Sequence, residues 1–418
     1  MITDERAFRY IAAPFEYCST SGGHIRGDLF IHPVFREAID DLKSQGLRVM
    51  AQPAPGAQAY AIVGGRSNAR WWLVPLQNRR VTASGMALFQ PLLTSARLMK
   101  AAAGLMIRLC MNRLWVRQRL YISGEPSLGQ YFPGTVARNY AYFTGTDSPH
   151  RKIAVQIMDT QGRLLGFAKL SRNPSVATLL AHEAAMLQRV QKLGLKTAYI
   201  PRVLFTGQHG DSSLIVMDTL KTARTSSTTR ITAAHKVFLQ ELARTTALAT
   251  PRQAGELAAG LSGRIERVRP MLEDTWYQRL DSAAAALAAQ PKLPLSVGMN
   301  HGDFTPWNTF LFKGRLYVFD WEYAEDASPP SNDIIHFVLN EPRTRGQSAR
   351  QKMAAAMSSL AEPWTGTPQQ VIPALLIIYL LTQSLRQIER LPEDRRKGSD
   401  WDGAKEQAGM LDTLLTRH

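Results

Sequence analysis

Between Asn300 and Tyr323 the chain reads as a loop, a short apolar strand, a tight Lys-Gly-Arg turn, a second apolar strand and then a carboxylate. No other stretch of the 418 residues constrains the fold as much. Thr309–Phe312 and Leu316–Phe319 are short and apolar, as the strands of a buried hairpin must be. A hairpin there returns Asp320 to the loop that carries Asp303 and Asn308, so two carboxylates and an amide converge. A purely structural loop with buried polar residues is the plainer alternative.

Upstream, three strands are expected at Asn139–Phe143, Lys152–Met158 and Leu164–Leu170, with turn signals at Gly145–Ser148 and Thr160–Gly162 between them. A helix over Ser175–Leu193 and a strand at Ser213–Met217 follow, which makes a small antiparallel sheet with one packed helix. Beyond Thr232 the pattern is mainly helical, broken once by the hairpin segment. The first 125 residues read as an α/β extension of their own. Val34, Phe35, Ala38, Ile39 and Leu42 recur at helical spacing over Pro33–Gln45, with Pro33 suited to the first helical position and Gly46 ending the run. Tyr60–Val63 and Trp71–Val74 are expected strands, and Pro91–Leu120 an expected helix. Three parts result: a basic extension of unknown role (1–125), a sheet part (126–220) and a helical part (221–418).

The net charge is +16, and twelve of those charges sit in one fifth of the chain. Between Leu42 and Gly124 there is no Asp or Glu, while Lys43, Arg48, Arg66, Arg70, Arg79, Arg80, Arg97, Lys100, Arg108, Arg113, Arg117 and Arg119 all fall there. Such a field attracts phospholipid head groups, nucleic acid or an acidic glycan; a solvated basic face with no specific partner is the alternative. Arg97, Lys100, Arg108 and Arg119 share one helical arc, but Arg113 and Arg117 fall opposite, so one clean amphipathic helix is not expected. Nor is a conventional membrane span, because the cations interrupt the apolar run. Trp71, Trp72, Trp115 and Tyr121 lie in this region without a recognised nucleic-acid motif, so nucleic acid is not the expected partner. The two cysteines, Cys18 and Cys110, are far apart and in no metal or redox spacing. With a charged N-terminus and no apolar segment behind it, the expected location is cytoplasmic, with a peripheral position at the inner membrane face as a variant.

The hairpin residues carry a chemistry. Two carboxylates and an amide are hard oxygen donors that suit Mg²⁺, which keeps waters and takes phosphate oxygens as further ligands. Soft-metal sites need Cys at ligand spacing or clustered His, and the chain has neither arrangement. Phosphoryl transfer asks for positioning, charge neutralisation and a group that orients or deprotonates the acceptor hydroxyl. Asp303 suits the last role, and Asn308 and Asp320 suit the metal.

The pattern His-x-Asp-x-x-x-x-Asn, followed by a hairpin and Asp-Trp-Glu, resembles the aminoglycoside phosphotransferase and choline kinase-like family over about residues 135–400. The resemblance implies an α+β, two-lobed protein-kinase-like fold, with a small antiparallel-sheet lobe, a mainly helical lobe and the extra N-terminal α/β extension. It implies ATP or GTP and Mg²⁺ as cofactors, Asp303 as catalytic base, and Asn308 and Asp320 as metal ligands. His301 matches the family's loop-supporting His, and Asp333 its downstream structural Asp. Lys169 ends an expected strand and Glu183 lies in the next helix, the places of the phosphate-binding Lys and its partner in kinases. No G-x-G-x-x-G precedes Lys169, so Thr144–Ser148, with Gly145 and Ser148, is the expected phosphate-covering turn. Met217 and Asp218 would form the adenine-holding linker. The implied activity is transfer of a terminal phosphate to a hydroxyl of a small molecule, with a sugar or lipid-linked glycan intermediate suggested by the basic region. A nucleotide-binding regulatory module or pseudokinase at an anionic surface is the alternative.

Overall fold

The computed structural model describes residues 32–416, except 66–68, 90–93, 135–136, 223–224, 226, 392–400 and 402. Cys18, Arg66, Pro91, the charged N-terminal residues and the side chain of Arg113 lie outside the described set. The chain divides into two units. One runs to Ala184 and adds Pro201–Thr225; the other comprises Ala185–Ile200 and everything from Ser226.

In the first unit, α1 (Pro33–Ser44) buries Val34, Phe35, Ala38, Ile39 and Leu42 on one face. The strands are β1 (Arg48–Met50), β2 (Gln58–Gly65), β3 (Arg70–Pro75), β4 (Arg119–Ser123), β5 (Ala137–Phe143), β6 (Ile153–Asp159) and β7 (Leu164–Ser171). After α5 (Pro174–Lys192) and a two-residue strand, β8 (Ala198–Tyr199), which belongs to the second unit, come β9 (Val203–His209) and β10 (Ser212–Asp218). Nine strands form one antiparallel sheet in the order β1-β4-β2-β3-β5-β6-β7-β10-β9.

This sheet corrects the expected edge at residue 125/126, which is not a boundary between the two units. β3 pairs with β5 through Trp72–Phe143 and Leu73–Tyr142. One core joins Val34, Phe35, Leu73 and Ile122 to Ile153, Val155, Leu214 and Val216. An unpaired β5 would present an open apolar edge, and the early strands close it. The buried carboxylate of Asp41 on α1 ties the same parts together, accepting from Arg151 at 2.9 Å and Arg172 at 2.7 Å. The other edge, expected at 220, falls at Thr225.

The helix expected over Pro91–Leu120 is also corrected. After α2 (Arg79–Gly85), whose N-cap Asn78 accepts from the amides of Arg80 and Val81 at 3.0 Å, α3 covers only Thr94–Arg108. Cys110 then takes a left-handed φ of 57°, a short α4 (Asn112–Trp115) follows, and Leu120 lies in β4. In β4, Leu120 and Ile122 are buried and their neighbours half-buried; this period of two was hidden by the helix-forming residues before it.

The second unit holds α6 (Ala233–Thr246), α7 (Ala254–Val268), α8 (Asp274–Ala288), α9 (Ser331–Leu339), α10 (Ala349–Leu360), α11 (Ile372–Ile388) and α12 (Ala404–Leu415). Its short strands are β11 (Arg252–Gln253), β12 (Pro294–Leu295), β13 (Gly298–Asn300), β14 (Thr309–Phe312), β15 (Arg315–Val318) and β16 (Glu325–Ser328). β14 and β15 form the expected hairpin, turning on Lys313 (φ 50°) and Gly314 (φ 78°), the positive pair that a two-residue turn requires. Among the described residues, Gln369–Ile388 alone is long and apolar enough to cross a membrane, but 83% of it is buried inside the protein, as in a core helix.

Candidate functional site

The loop between β13 and β14 is clamped from several sides. Asp333, on α9, accepts the backbone N–H of His301 at 2.7 Å and of Gly302 at 3.0 Å. Its N-cap is Pro330, so Asp333 serves the loop rather than capping its own helix. Burial pushes its carboxyl up and holds the His301 imidazole down. His301 Nδ1 accepts from the Asp303 amide at 3.3 Å, which leaves Nε2–H to donate to the Phe319 carbonyl at 3.0 Å. Gly302 has φ 77°, and a Cβ there would lie 1.9 Å from the Tyr323 carbonyl oxygen, so no other residue fits. Arg386 on α11 donates to the Gly302 carbonyl at 2.7 Å and pairs with Glu325 at 3.0 Å.

This clamp presents Asp303, one quarter exposed, with a donor on each carboxylate oxygen. Asn308 Nδ2 donates to Oδ2 at 2.8 Å, and His336 Nε2 meets Oδ1 at 2.9 Å. His336 Nδ1 in turn lies 2.9 Å from the Tyr379 hydroxyl. Burial drives the Tyr379 phenol far above its ordinary value, so it stays protonated and donates to Nδ1. Asp303 Oδ1 can only accept, so His336 carries a proton on Nε2, aimed at Asp303. Sequence reading missed His336. The available signal was its place three residues after Asp333, which puts both on one face of α9.

Asn308 and Asp320 flank the open end of the hairpin, where the Phe319 amide donates to the Asn308 carbonyl at 3.2 Å. Because Asn308 Nδ2 is committed to Asp303, its Oδ1 is the atom left for a cation. Asp320 has φ 72°, a left-handed conformation that costs a residue with a Cβ about 1 kcal/mol or more and is found at functional sites. An amide oxygen and a carboxylate, with no sulfur, form a donor set that fits Mg²⁺.

In the sheet unit, Lys169 on β7 reaches both carboxylate oxygens of fully buried Glu183, at 2.6 and 2.7 Å. Gly145 has φ 84°, and a Cβ would come within 2.4 Å of the Lys152 carbonyl oxygen, so the β5–β6 turn requires glycine. Ser148 is exposed in that turn, its carbonyl accepting from Arg151 at 3.0 Å. Met217 is buried in β10, and Asp218 ends it, its carboxylate held at 2.6 Å by both the amide and Nε of Arg202.

Within the helical unit, a cavity of about 470 Å³ is lined by His336, the partner of Asp303, and by Trp307, Tyr379, Gln383, Gln387 and Gln407 among others. Two wall carboxylates are occupied: Glu341 by Arg343 and the Ile231 amide, Glu406 by Lys352 at 2.5 Å. Gln383 is only 8% exposed, and among the described residues its amide has no hydrogen-bond partner.

Residues 137–365 match the model of a phosphotransferase enzyme family, APH. No curated protein matches the chain. Among solved structures, the chain is similar to the aminoglycoside phosphotransferase APH(4)-Ia in apo form (14% identity, 67% of this chain and 95% of the other, TM-score 0.47). It is similar also to the GDP complex of aminoglycoside 2'-phosphotransferase-IIIa (14%, 69% and 96%, 0.46). A third is a fructosamine-3-kinase-like structure from Haemophilus somnus (14%, 69% and 94%, 0.41).

Proposed function

The chain belongs to the phosphotransferase enzyme family, and we propose that it moves the terminal phosphate of ATP or GTP to a hydroxyl of a small molecule seated in the cavity of the helical unit. The observation that carries this reading is the Asp303 carboxylate, fixed at both oxygens by Asn308 and by His336, which itself lines that cavity. As the acceptor oxygen forms its bond to phosphorus and the bond to the leaving diphosphate breaks, Asp303 takes the hydroxyl proton. The Asn308 and His336 hydrogen bonds hold its orientation while it does so. Bound Mg²⁺, held by Asn308 Oδ1 and Asp320, would neutralise charge on the phosphates. Lys169 would bind α- and β-phosphate oxygens, and Glu183 keeps its ammonium aimed. The Gly145–Ser148 turn would cover the phosphates, and the Met217–Asp218 backbone would hold the base.

The cavity favours an uncharged, polyhydroxylated acceptor. Carboxamides both donate and accept, as hydroxyls do, and Gln383 awaits a partner. A polycation needs free carboxylates, and Glu341 and Glu406 are both taken. Trp307 adds an apolar wall. The test is a nucleotide-dependent phosphorylation screen over neutral sugars, cyclitols, amino alcohols and aminoglycosides, with wild type and Asp303→Asn. We expect transfer to a neutral polyol, lowered about a thousandfold or more in the variant. A wild type that binds Mg·ATP yet transfers phosphate to nothing would leave a nucleotide-binding module instead.

A further inference from the structure

Large apolar side chains that reach solvent are concentrated in one place. Leu98 (67% exposed), Met99, Leu105 (57%), Leu109 (58%), Met111 and Leu114 (64%) fall within seventeen residues of α3, the turn after it and α4. Among the described residues only Val237, Leu248 and Leu311 join them from the rest of the chain. Isolated exposed leucines are ordinary, but a contiguous set marks a surface that something covers.

α3 is apolar on two sides. Its inner side buries Ala103 and Ile107 in a core with Ala61, Val74 and Met86. Lys100 sits on that side, where its ammonium donates to the Phe89 carbonyl at 2.5 Å and burial lowers its pKa to about 8. The outer side carries Leu98, Leu105 and, on the turn still bonded to the helix, Leu109. The spacing of seven and then four residues aligns these three in one stripe. Arg97 and Arg108 are exposed along its flank, and Arg79, Arg80 and Arg117 are exposed in the same sequence region. Residues 43–123 supply twelve cations and no carboxylate.

We propose that the outer face of α3 docks on an anionic lipid bilayer, with Leu98, Leu105 and Leu109 in the boundary between head groups and acyl chains. Arg97 and Arg108 meet the lipid phosphates. An apolar stripe flanked by arginines is the pattern of a helix lying in the membrane plane, and the surrounding cations supply the long-range attraction. Charge decides against a second copy of the chain: two such faces would bring cations together with no carboxylate from the region to separate them. The apolar stripe decides against nucleic acid, whose phosphates and bases call for cations, amides and aromatic rings rather than four exposed leucines.

The experiment is co-sedimentation of the full chain with phosphatidylglycerol-containing vesicles and with pure phosphatidylcholine vesicles. Wild type should sediment with the anionic vesicles. L98S/L105S/L109S should bind them at least about tenfold more weakly at an unchanged melting temperature, because each side chain is already in water. R97E/R108E keeps the apolar stripe and should also lose binding to anionic vesicles, which guards against a serine variant that misfolds. Wild type left in the supernatant, or either variant sedimenting like wild type, overturns the proposal. So does a wild-type dimer that the serine variant converts to a monomer, or binding to a single-stranded polynucleotide that competes with vesicles and is indifferent to the serine changes.

Discussion

A carboxylate with a donor on each oxygen is held in one rotamer, and Asp303 meets that condition through one close and one distant residue. Asn308 is five positions away and follows from motif spacing. His336 is thirty-three positions away, and only the packing of α9 against the loop brings it to Oδ1. A motif records the near partner; the far one needs the fold. Losing one charge-assisted hydrogen bond costs about 1.5–3 kcal/mol, so His336→Ala should lower kcat about 10- to 100-fold with little change in KM. His336→Gln, which can present an N–H in the same direction, should recover part of the loss. Tyr379→Phe should do less harm, since it removes only the hydroxyl at Nδ1. Steady-state kinetics with saturating nucleotide, beside a thermal melt, separates positioning from folding. A kcat equal to wild type in His336→Ala would show that Asn308 alone suffices.

Elements with a short and unambiguous period were legible in the sequence. The β14–β15 hairpin, α1 and the strands from β5 to β7 form within a residue or two of their expected limits. β4 and β9 were not legible. β4 follows a helix-forming run, and β9 is an edge strand with exposed Thr206, Gly207 and Gln208 and no apolar alternation. The seam between α6 and the hairpin was equally invisible, because its polar link is a single buried histidine. His235 is buried, with Nδ1 accepting from the Thr232 amide at 3.2 Å and Nε2 meeting Thr309 Oγ1 of β14 at 3.1 Å. Burial lowers its pKa to about 4. In the unfolded chain an ordinary histidine binds its proton near pH 6.5. Below that value the unfolded state therefore takes up a proton the folded state refuses, and stability falls as pH drops toward about 4. The loss amounts to about 3 kcal/mol over that window, and buried His301, also shifted down, adds in the same direction. Urea midpoints between pH 7.5 and 4 should show this slope, and His235→Gln, less stable at neutral pH, should show a shallower one. An unchanged slope would mean that His235 is protonated in the native state.

At the scale of the molecule, the reading by sequence separated what the sheet joins. A change in composition near residue 125 looked like a domain edge because the charge there shifts abruptly, yet charge sits on surfaces while domains are set by shared cores. Here the shared core is explicit: Phe35 on α1 and Ile122 on β4 belong to the same buried cluster as Val155 on β6 and Val216 on β10. Asp41, its side chain 3% exposed, places its charge on Arg151 and Arg172 across the same seam. A chain begun at residue 126 would lose every one of these partners, leave β5 without the Trp72 and Leu73 pairings, and bury neither face of Tyr140 or Tyr142 as before. Buried apolar side chains are worth about 1.5–3 kcal/mol each, against a whole-protein stability of about 5–15 kcal/mol. Removal of even a few of them exceeds what the remaining sheet can supply. The truncated chain should therefore be insoluble or show no cooperative melt by circular dichroism, although it retains every residue assigned here to phosphate transfer. A soluble fragment with a sharp transition near that of the full chain would mean that the four early strands are dispensable cover, and that the sheet closes its edge at β5 without them.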